Sequence, residues 1–237
     1  RLCLIRTSPA EAEAEGEAEV GAGAEARGLR FTLKAPGMET FQLALAASAT
    51  WVEVRLHKDR FSALAGYSEA DQWFTRFLKE PCQLVFIPDE VHRATDPEWA
   101  PGHRVGLADG YPLHLTTEES LRDMNLKLAR GTGMLRFRPN LVLAGGEPWE
   151  EDEWRVLETG GIRVLVVKPC ARCSVTTVDQ GTATQGREPL RSMKAFREWD
   201  GKVYFGQNAV FEGSGRFRVG DDVHILKTGP RRPPLPA

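Results

Sequence analysis

The stretch "IRVLVVKPCARCSVTTVD", residues 162–179, runs from an apolar, β-branched segment into two cysteines three positions apart. The first part has the composition of a buried strand. Lys168, Pro169 and Arg172 then crowd Cys170 and Cys173, and neighbouring cations favour a thiolate. A structural zinc site would need two further ligands, yet no second CxxC and no HxxxH occurs. Cys82 and the scattered His57, His92, His103, His114 and His224 offer no ligand spacing. A thioredoxin-like dithiol would need a helix starting at the first cysteine, whereas "SVTTV" is β-branched and helix-averse. Two small buried thiols are the bland alternative. The residues favour a single thiolate beside Arg172 at a loop-to-strand junction, suited to a soft metal with an anionic cofactor; the other readings stay open.

Outward from that stretch the chain is β-rich. "MLRFRPNLVLAG", "WRVLET", "CSVTTVD", "KVYFG", "GRFRV" and "DDVHILK" are short strand-like runs separated by turn signals such as "TGG", "DQG" and "VGDD". Many short strands at regular spacing predict a barrel or a sandwich. One helix, "EPLRSMKAFREW", interrupts them. Towards the N-terminus, "LRFTLKA", "TFQLAL", "WVEVRL" and "CQLVFI" read as strands. "SEADQWFTRFLKE" at 68–80 reads as an amphipathic helix with Ser68 as N-cap and Trp73, Phe74, Phe77 and Leu78 on its core face. "TTEESLRDMNLKLA" opens with Thr116 and Glu119 in capping-box spacing. Residues 88–112 have no period and predict a long loop. Residues 10–27, rich in Ala, Glu and Gly, predict a solvated insertion.

The bulk numbers exclude several classes. The 237 residues are 41% hydrophobic and 27% charged, with a net charge of −2. That is ordinary for a globular protein, and no basic field points to nucleic acid or an acidic membrane. No run approaches the roughly 20 apolar residues of a membrane span. Four cysteines are too few for a disulfide scaffold and fit a reducing cytoplasm. The expected partner is a small molecule or another protein.

"FRPNLVLAGGEPWEEDEW", "KPCARCSVTTVD", "EPLRSMKAFRE", "FGQNAV" and "RVGDDVHIL" follow one another over residues 136–226. In this order they resemble the MOSC domain, the family named for the C-terminal part of molybdenum cofactor sulfurases, and within it the amidoxime-reducing branch. "VHRATDPEWAPGHRVGLADGYPLHLTT" resembles that family's N-terminal β-rich domain. The resemblance implies a mainly β, partly α fold (α+β). A MOSC-type antiparallel β-barrel over 116–227 would follow a partial N-terminal-like β-rich domain over 1–115 with one or two helices, and a Pro-rich tail would fill 228–237. The family's opening segment, with a "YPVKS"-like Lys–Ser motif and a "GDRRW"-like arginine, is expected to be lacking.

The same resemblance implies site residues. Cys173 would be the metal ligand and the catalytic thiolate, a soft donor to molybdenum; Cys170 would be a neighbour. Arg138 and Asn140 would sit beside the phosphate-bearing pterin, where a guanidinium fork suits phosphate. Ala171 and Arg172 would contribute close backbone N–H groups and charge, and Gly206 and Asn208 would close the site. Asp152 reads either as an acceptor for an arginine or as a solvated acidic turn. His114 reads as a satisfied histidine outside the site. The implied cofactor is molybdenum cofactor of the molybdopterin type, with pyridoxal phosphate not expected. The implied activity is reduction of N-hydroxylated compounds: hydroxylamines, amidoximes and N-hydroxylated bases. Electrons would come from a separate ferredoxin- or cytochrome-type protein and its reductase. The alternatives are a non-catalytic cofactor or sulfur carrier, or a degenerate member with an empty site.

Overall fold

The computed structural model describes residues 2–9, 30–45 and 50–233. The segment read as a solvated insertion, 10–27, lies outside them. The chain divides into two compact units, Arg1–Arg93 with Gln180–Ala183 and Ala94–Asp179 with Thr184–Ala237. It is mainly β, with three α-helices among the described residues.

In the first unit, β1 (Arg6–Pro9), β2 (Arg30–Lys34) and β3 (Phe41–Ala44) form an antiparallel sheet. A hairpin of β4 (Thr50–Leu56) and β5 (Asp59–Ala65) follows, then helix α1 (Ser68–Leu78). Three-to-four-residue spacing puts Ala70, Trp73 and Phe77 on the buried face of α1. Trp73 packs with Leu33 and Leu43, and its Nε1 donates to the Glu39 carbonyl at 3.0 Å. Ser68 is the first helical residue rather than the cap; Tyr67 holds the cap position without a side-chain hydrogen bond. "CQLVFI" forms no strand, only an isolated bridge between Leu64 and Phe86. The cause is local: the N–H groups of Cys82 and Leu84 donate to Thr75 Oγ1 and Asp71 Oδ1 of α1, so they are lost to a ladder.

The second unit is built on seven strands: β6 (Leu113–Thr117), β7 (Leu141–Leu143), β8 (Trp154–Thr159), β9 (Ile162–Ala171), β10 (Glu198–Trp199), β11 (Lys202–Glu212) and β12 (His224–Thr228). Their order is β12-β8-β9-β11-β6-β7, with β10 paired to β11. All pairs are antiparallel except β6–β7. The sheet curls into a half-barrel, and among the described residues no ladder joins its edges β12 and β7. Helices α2 (Glu118–Lys127) and α3 (Leu190–Arg197) contribute Met124 and Met193 to a cluster with Phe137, Trp149 and Phe205 of β11. Phe137 and Phe205 stack with centroids 4.1 Å apart.

Three local expectations shift here. The cap of α2 is Thr117, the last residue of β6, whose side chain accepts from Ser120 N; Thr116 lies one residue too early. "MLRF" and "SVTT" form 3-10 turns at Met134–Phe137 and Ser174–Thr177 instead of strands. In the second turn the hydroxyls of Thr176 and Thr177 donate to the carbonyls of Cys173 and Ser174, at 2.9 and 2.7 Å. Such back-bonding stabilises a tight turn that residue propensity alone disfavours.

Beneath α3 lies a buried ionic cluster. Arg197 donates to both oxygens of Asp152, at 2.9 and 3.1 Å, and both residues are essentially fully buried. Gln207 Nε2 donates to Asp152 Oδ1 at 2.7 Å, Arg197 Nε to the Tyr204 carbonyl at 3.2 Å, and the guanidinium lies 4.0 Å over the Trp149 ring. Asp152 is therefore an acceptor for an arginine, and not a solvated turn. Its neighbour Glu151 is equally buried, and its carboxyl accepts from Ser120 Oγ at 2.7 Å and Thr117 Oγ1 at 3.1 Å, with no cation among the described residues bonded to it. Burial, with the Asp152 carboxylate beside it, pushes Glu151 up to about 7.

Removing one partner of a buried ion pair leaves the other uncompensated, which costs about 3–5 kcal/mol. Asp152→Ala is expected to lose stability in that range by urea unfolding. Asp152→Asn, which keeps an acceptor for Gln207, should lose less.

Candidate functional site

The two cysteines leave β9 into different surroundings. Cys170 is partly buried and accepts from Arg172 Nη1 at 2.8 Å. Burial pushes its thiol above the ordinary value, against the pull of the Arg172 guanidinium. Cys173 is exposed, at the start of the 3-10 turn, and its carbonyl accepts from Thr176 N at 3.2 Å. The backbone between them is pinned by Arg172 N donating to the Val203 carbonyl at 2.8 Å. Ala171 ends β9 opposite Tyr204 and is exposed.

The Arg172 side chain turns inward. Nη2 donates to the Phe137 carbonyl at 2.8 Å, Nη1 lies 3.2 Å from His114 Nε2, and Nε is buried without a partner in the described structure. Its guanidinium carbon stands 5.7 Å from the Phe137 ring centroid. The next residue, Arg138, is exposed in a left-handed conformation, φ 53°, closing the 134–137 turn. Asn140 is exposed as a residue, yet its Oδ1 accepts from His114 N at 2.9 Å and its N–H donates to the His114 carbonyl at 2.8 Å.

Gly206 marks a register shift in the β11–β9 pairing and has φ +71°. A Cβ there would lie 2.5 Å from the Leu115 carbonyl oxygen and 2.6 Å from His114 Nε2. The glycine thus lets β6 come close to β11, with the His114 ring in the space a side chain would take. Asn208 directs its Nδ2 to the Pro169 carbonyl at 3.4 Å, tying β11 to β9 just before Cys170.

Asn140, Arg172 and Gly206 therefore meet around one residue, His114, which sequence reasoning set outside the site. His114 is 8% exposed, and its ring also lies 3.1 Å from the Phe205 carbonyl. Burial, then the Arg172 charge, lower its pKa to about 4 despite nearby backbone carbonyls. Nothing in "YPLHLTT" distinguishes it from a packed strand histidine; the signal is the glycine ninety-two positions on, which only pairing brings alongside. A cavity of about 250 Å³ inside the half-barrel is lined by Leu115, Leu157, Val164 and Val219 and includes only Asn140 of the predicted site residues.

Among the described residues no three of His, Cys, Asp and Glu could jointly hold a metal ion. Of the CxxC pair, Cys173 alone is exposed, on a turn pinned through Arg172 N. No helix among the described residues is long and apolar enough to cross a membrane.

A half-barrel carrying a CxxC turn of this kind is the architecture to set against known families. The family model of the MOSC domain matches residues 102–224, and the chain belongs to that family. It is 36% identical over 170 residues to mitochondrial amidoxime-reducing component 1 of Homo sapiens, covering 65% of this chain and 50% of that protein. It is 34% identical over 212 residues to mitochondrial amidoxime reducing component 2 of Rattus norvegicus, covering 82% and 63%. Molybdenum cofactor sulfurase of Solanum lycopersicum is 28% identical over 214 residues, 78% of this chain and 26% of that protein. The chain thus spans about half to under two thirds of the amidoxime-reducing relatives' length.

Two measurements follow from this geometry. Gly206→Ala combines a strained φ with contacts to fixed backbone, and such strain costs on the order of 1–3 kcal/mol; thermal unfolding should show at least that loss. The second concerns pH. His114 has a folded pKa below its unfolded value of 6.5, so its contribution is intact above pH 6.5 and is lost as pH falls towards 4. Glu151, raised from 4.5 to about 7, acts oppositely and loses its contribution as pH rises through that window. The two offset each other between pH 4.5 and 6.5. Urea unfolding of Glu151→Gln should therefore weaken by about 2 kcal/mol more than wild type between pH 7.5 and 5, and His114→Gln should tilt the other way.

Proposed function

We propose that this chain binds molybdenum cofactor through Cys173 and reduces N-hydroxylated compounds with electrons from a separate protein. The observation that carries this reading is the asymmetry of the cysteine pair. The Cys170 thiol is occupied by Arg172 at 2.8 Å, while Cys173 is exposed at the head of a pinned turn. That arrangement supports one metal ligand rather than a dithiol. Membership in the MOSC family and likeness to proteins named amidoxime-reducing components and molybdenum cofactor sulfurase support the cofactor and substrate class.

Cys173 Sγ would ligate the metal as a soft thiolate donor. Arg138, the nearest exposed guanidinium in sequence to the turn that Arg172 touches, would clamp the pterin phosphate by charge-assisted bonds. The Asn140 amide would satisfy a pterin edge with its Nδ2, since its Oδ1 already serves His114 N. Ala171 and Arg172 would contribute backbone at close range, with Gly206 and Asn208 holding β11 in place behind them. The bound cofactor supplies the two-electron redox chemistry. The overall reaction breaks the N–O bond of the substrate, consumes two electrons and two protons, and releases water and the reduced nitrogen compound. The electrons would be delivered by a ferredoxin- or cytochrome-type partner with its own reductase. The four unbridged cysteines suit a reducing compartment such as the cytoplasm.

Elemental analysis of purified protein should find molybdenum close to stoichiometric, with pterin fluorescence after oxidation. Cys173→Ser should lose molybdenum and abolish reduction of a test amidoxime, since a hydroxyl is a harder donor that stays protonated near neutral pH. Cys170→Ser should keep most of both. Equal loss from the two substitutions would instead point to a dithiol, and wild-type protein that binds no molybdenum would refute the assignment.

A further inference from the structure

The predicted site residues lie on three segments of the second unit, 138–140, 171–173 and 206–208, and His114 meets all three through Asn140, Arg172 and Gly206. We propose that His114, in its neutral tautomer with the proton on Nδ1, is the positioning residue of the CxxC turn: it accepts from Arg172, keeps that guanidinium turned inward, and so determines that Cys173 rather than Cys170 is presented. The inference rests on the reading of Cys173 as the working thiol, but it concerns groups that are present in the protein without any cofactor.

The tautomer follows from donor counting. Arginine has five N–H donors and no acceptor, so the 3.2 Å contact from Arg172 Nη1 requires a lone pair on His114 Nε2. Nε2 also lies 3.1 Å from the Phe205 carbonyl, an acceptor. It cannot serve both. Were Nε2 protonated to donate to Phe205, an N–H would face the guanidinium inside a largely buried site, and the charge-assisted bond would be lost. Such bonds are roughly twice as strong as neutral ones, so the lone pair goes to Arg172. The proton then belongs on Nδ1.

Three fixed partners make the ring a rigid receptor. The His114 backbone exchanges two hydrogen bonds with Asn140, at 2.9 and 2.8 Å. The ring occupies the space kept open by Gly206, 2.6 Å from where a Cβ would stand. Arg172 is then held by three acceptors from three segments: His114 Nε2, the Phe137 carbonyl and Cys170 Sγ. The last of these ties Cys170 into the receptor. Without His114, the guanidinium keeps only the Phe137 carbonyl and Cys170 Sγ, and its hold on Cys170, which distinguishes that thiol from Cys173, is weakened.

The test uses the cofactor-free full chain and thiol labelling with a maleimide, read by peptide mass spectrometry. In wild type, Cys173 should be labelled at least about tenfold faster than Cys170, as exposure and hydrogen bonding dictate. His114→Leu, which packs but cannot accept, should reduce that ratio to about threefold or less. His114→Gln offers an amide oxygen to Arg172 and an amide N–H to Phe205, and should retain the wild-type ratio. If His114→Leu keeps the ratio, or His114→Gln loses it as fully as leucine does, the proposal is overturned. Imidazole ¹⁵N spectra of the wild-type protein at pH 7 test the tautomer without any substitution: a protonated Nδ1 and a bare Nε2 support it, and a protonated Nε2 overturns it. None of these readouts needs molybdenum. A protein that labels as expected yet never binds the metal would refute the reductase reading and leave this one intact.

Discussion

The Asp152–Arg197 pair is the constraint around which the second unit is arranged. Two charges with almost no exposure demand nearly complete hydrogen bonding, because each carries a desolvation penalty of several kcal/mol. The demand is met from three places: the 150–152 turn supplies Asp152, α3 supplies Arg197, and β11 supplies both the Gln207 amide and the Tyr204 carbonyl. The C-terminal segment adds the Arg232 N–H, which donates to the Asp152 carbonyl at 2.8 Å. Satisfying the charges therefore determines where α3 lies on β11 and which way β11 faces. Apolar residues of similar volume could fill the space, but they would not require Tyr204 and Gln207 to point at the same place.

That requirement reaches the candidate site through consecutive residues of one strand. Tyr204 and Gln207 are held by the ion pair, and Phe205 between them stacks on Phe137. The remaining residue, Gly206, takes up the register shift against β9 with a left-handed φ. Strain is confined to the one position without a side chain, and the vacated volume receives the His114 ring. The bulge is thus the point where core packing becomes site geometry. Its neighbours on either side cannot move without breaking either the aromatic stack or the buried charges.

What could be read in the amino-acid sequence follows the range of the interactions involved. β8, β9, β11 and β12 were legible because their β-branched runs are local, and α1 because Trp73 and Phe77 recur at helical spacing. The CxxC turn and the family blocks identified the unit. The 3-10 turns at 134–137 and 174–177 were not legible, since Thr176 and Thr177 stabilise the latter with their own hydroxyls against their β preference. "CQLVFI" had a strand's composition and lost its donors to α1 side chains. Asp152 showed only that an arginine was one possible partner; that the partner is Arg197, forty-five positions away, needed α3 laid on the sheet. His114 was invisible for the same reason in stronger form. Its partners Asn140, Arg172 and Phe205 lie on three other segments, and no window of sequence contains them together.

The cation between the two cysteines illustrates how misleading proximity in sequence can be. Arg172 adjoins Cys173, which invites the inference that its charge serves that thiol. The side chain instead reaches back, bonding Cys170 two residues before it and the Phe137 carbonyl from another segment. A guanidinium with its donors engaged in this way acts as a bracket: it fastens the turn from inside, and the thiol it adjoins is the one left free. Selecting one cysteine of the pair is then accomplished by occupying the other. A dithiol site would require both sulfurs to be available to each other, and an inward arginine held by a neutral imidazole works directly against that. The chemistry the turn can support is therefore decided less by the cysteines, which the motif supplies in duplicate, than by the acceptor on β6 that claims the residue between them.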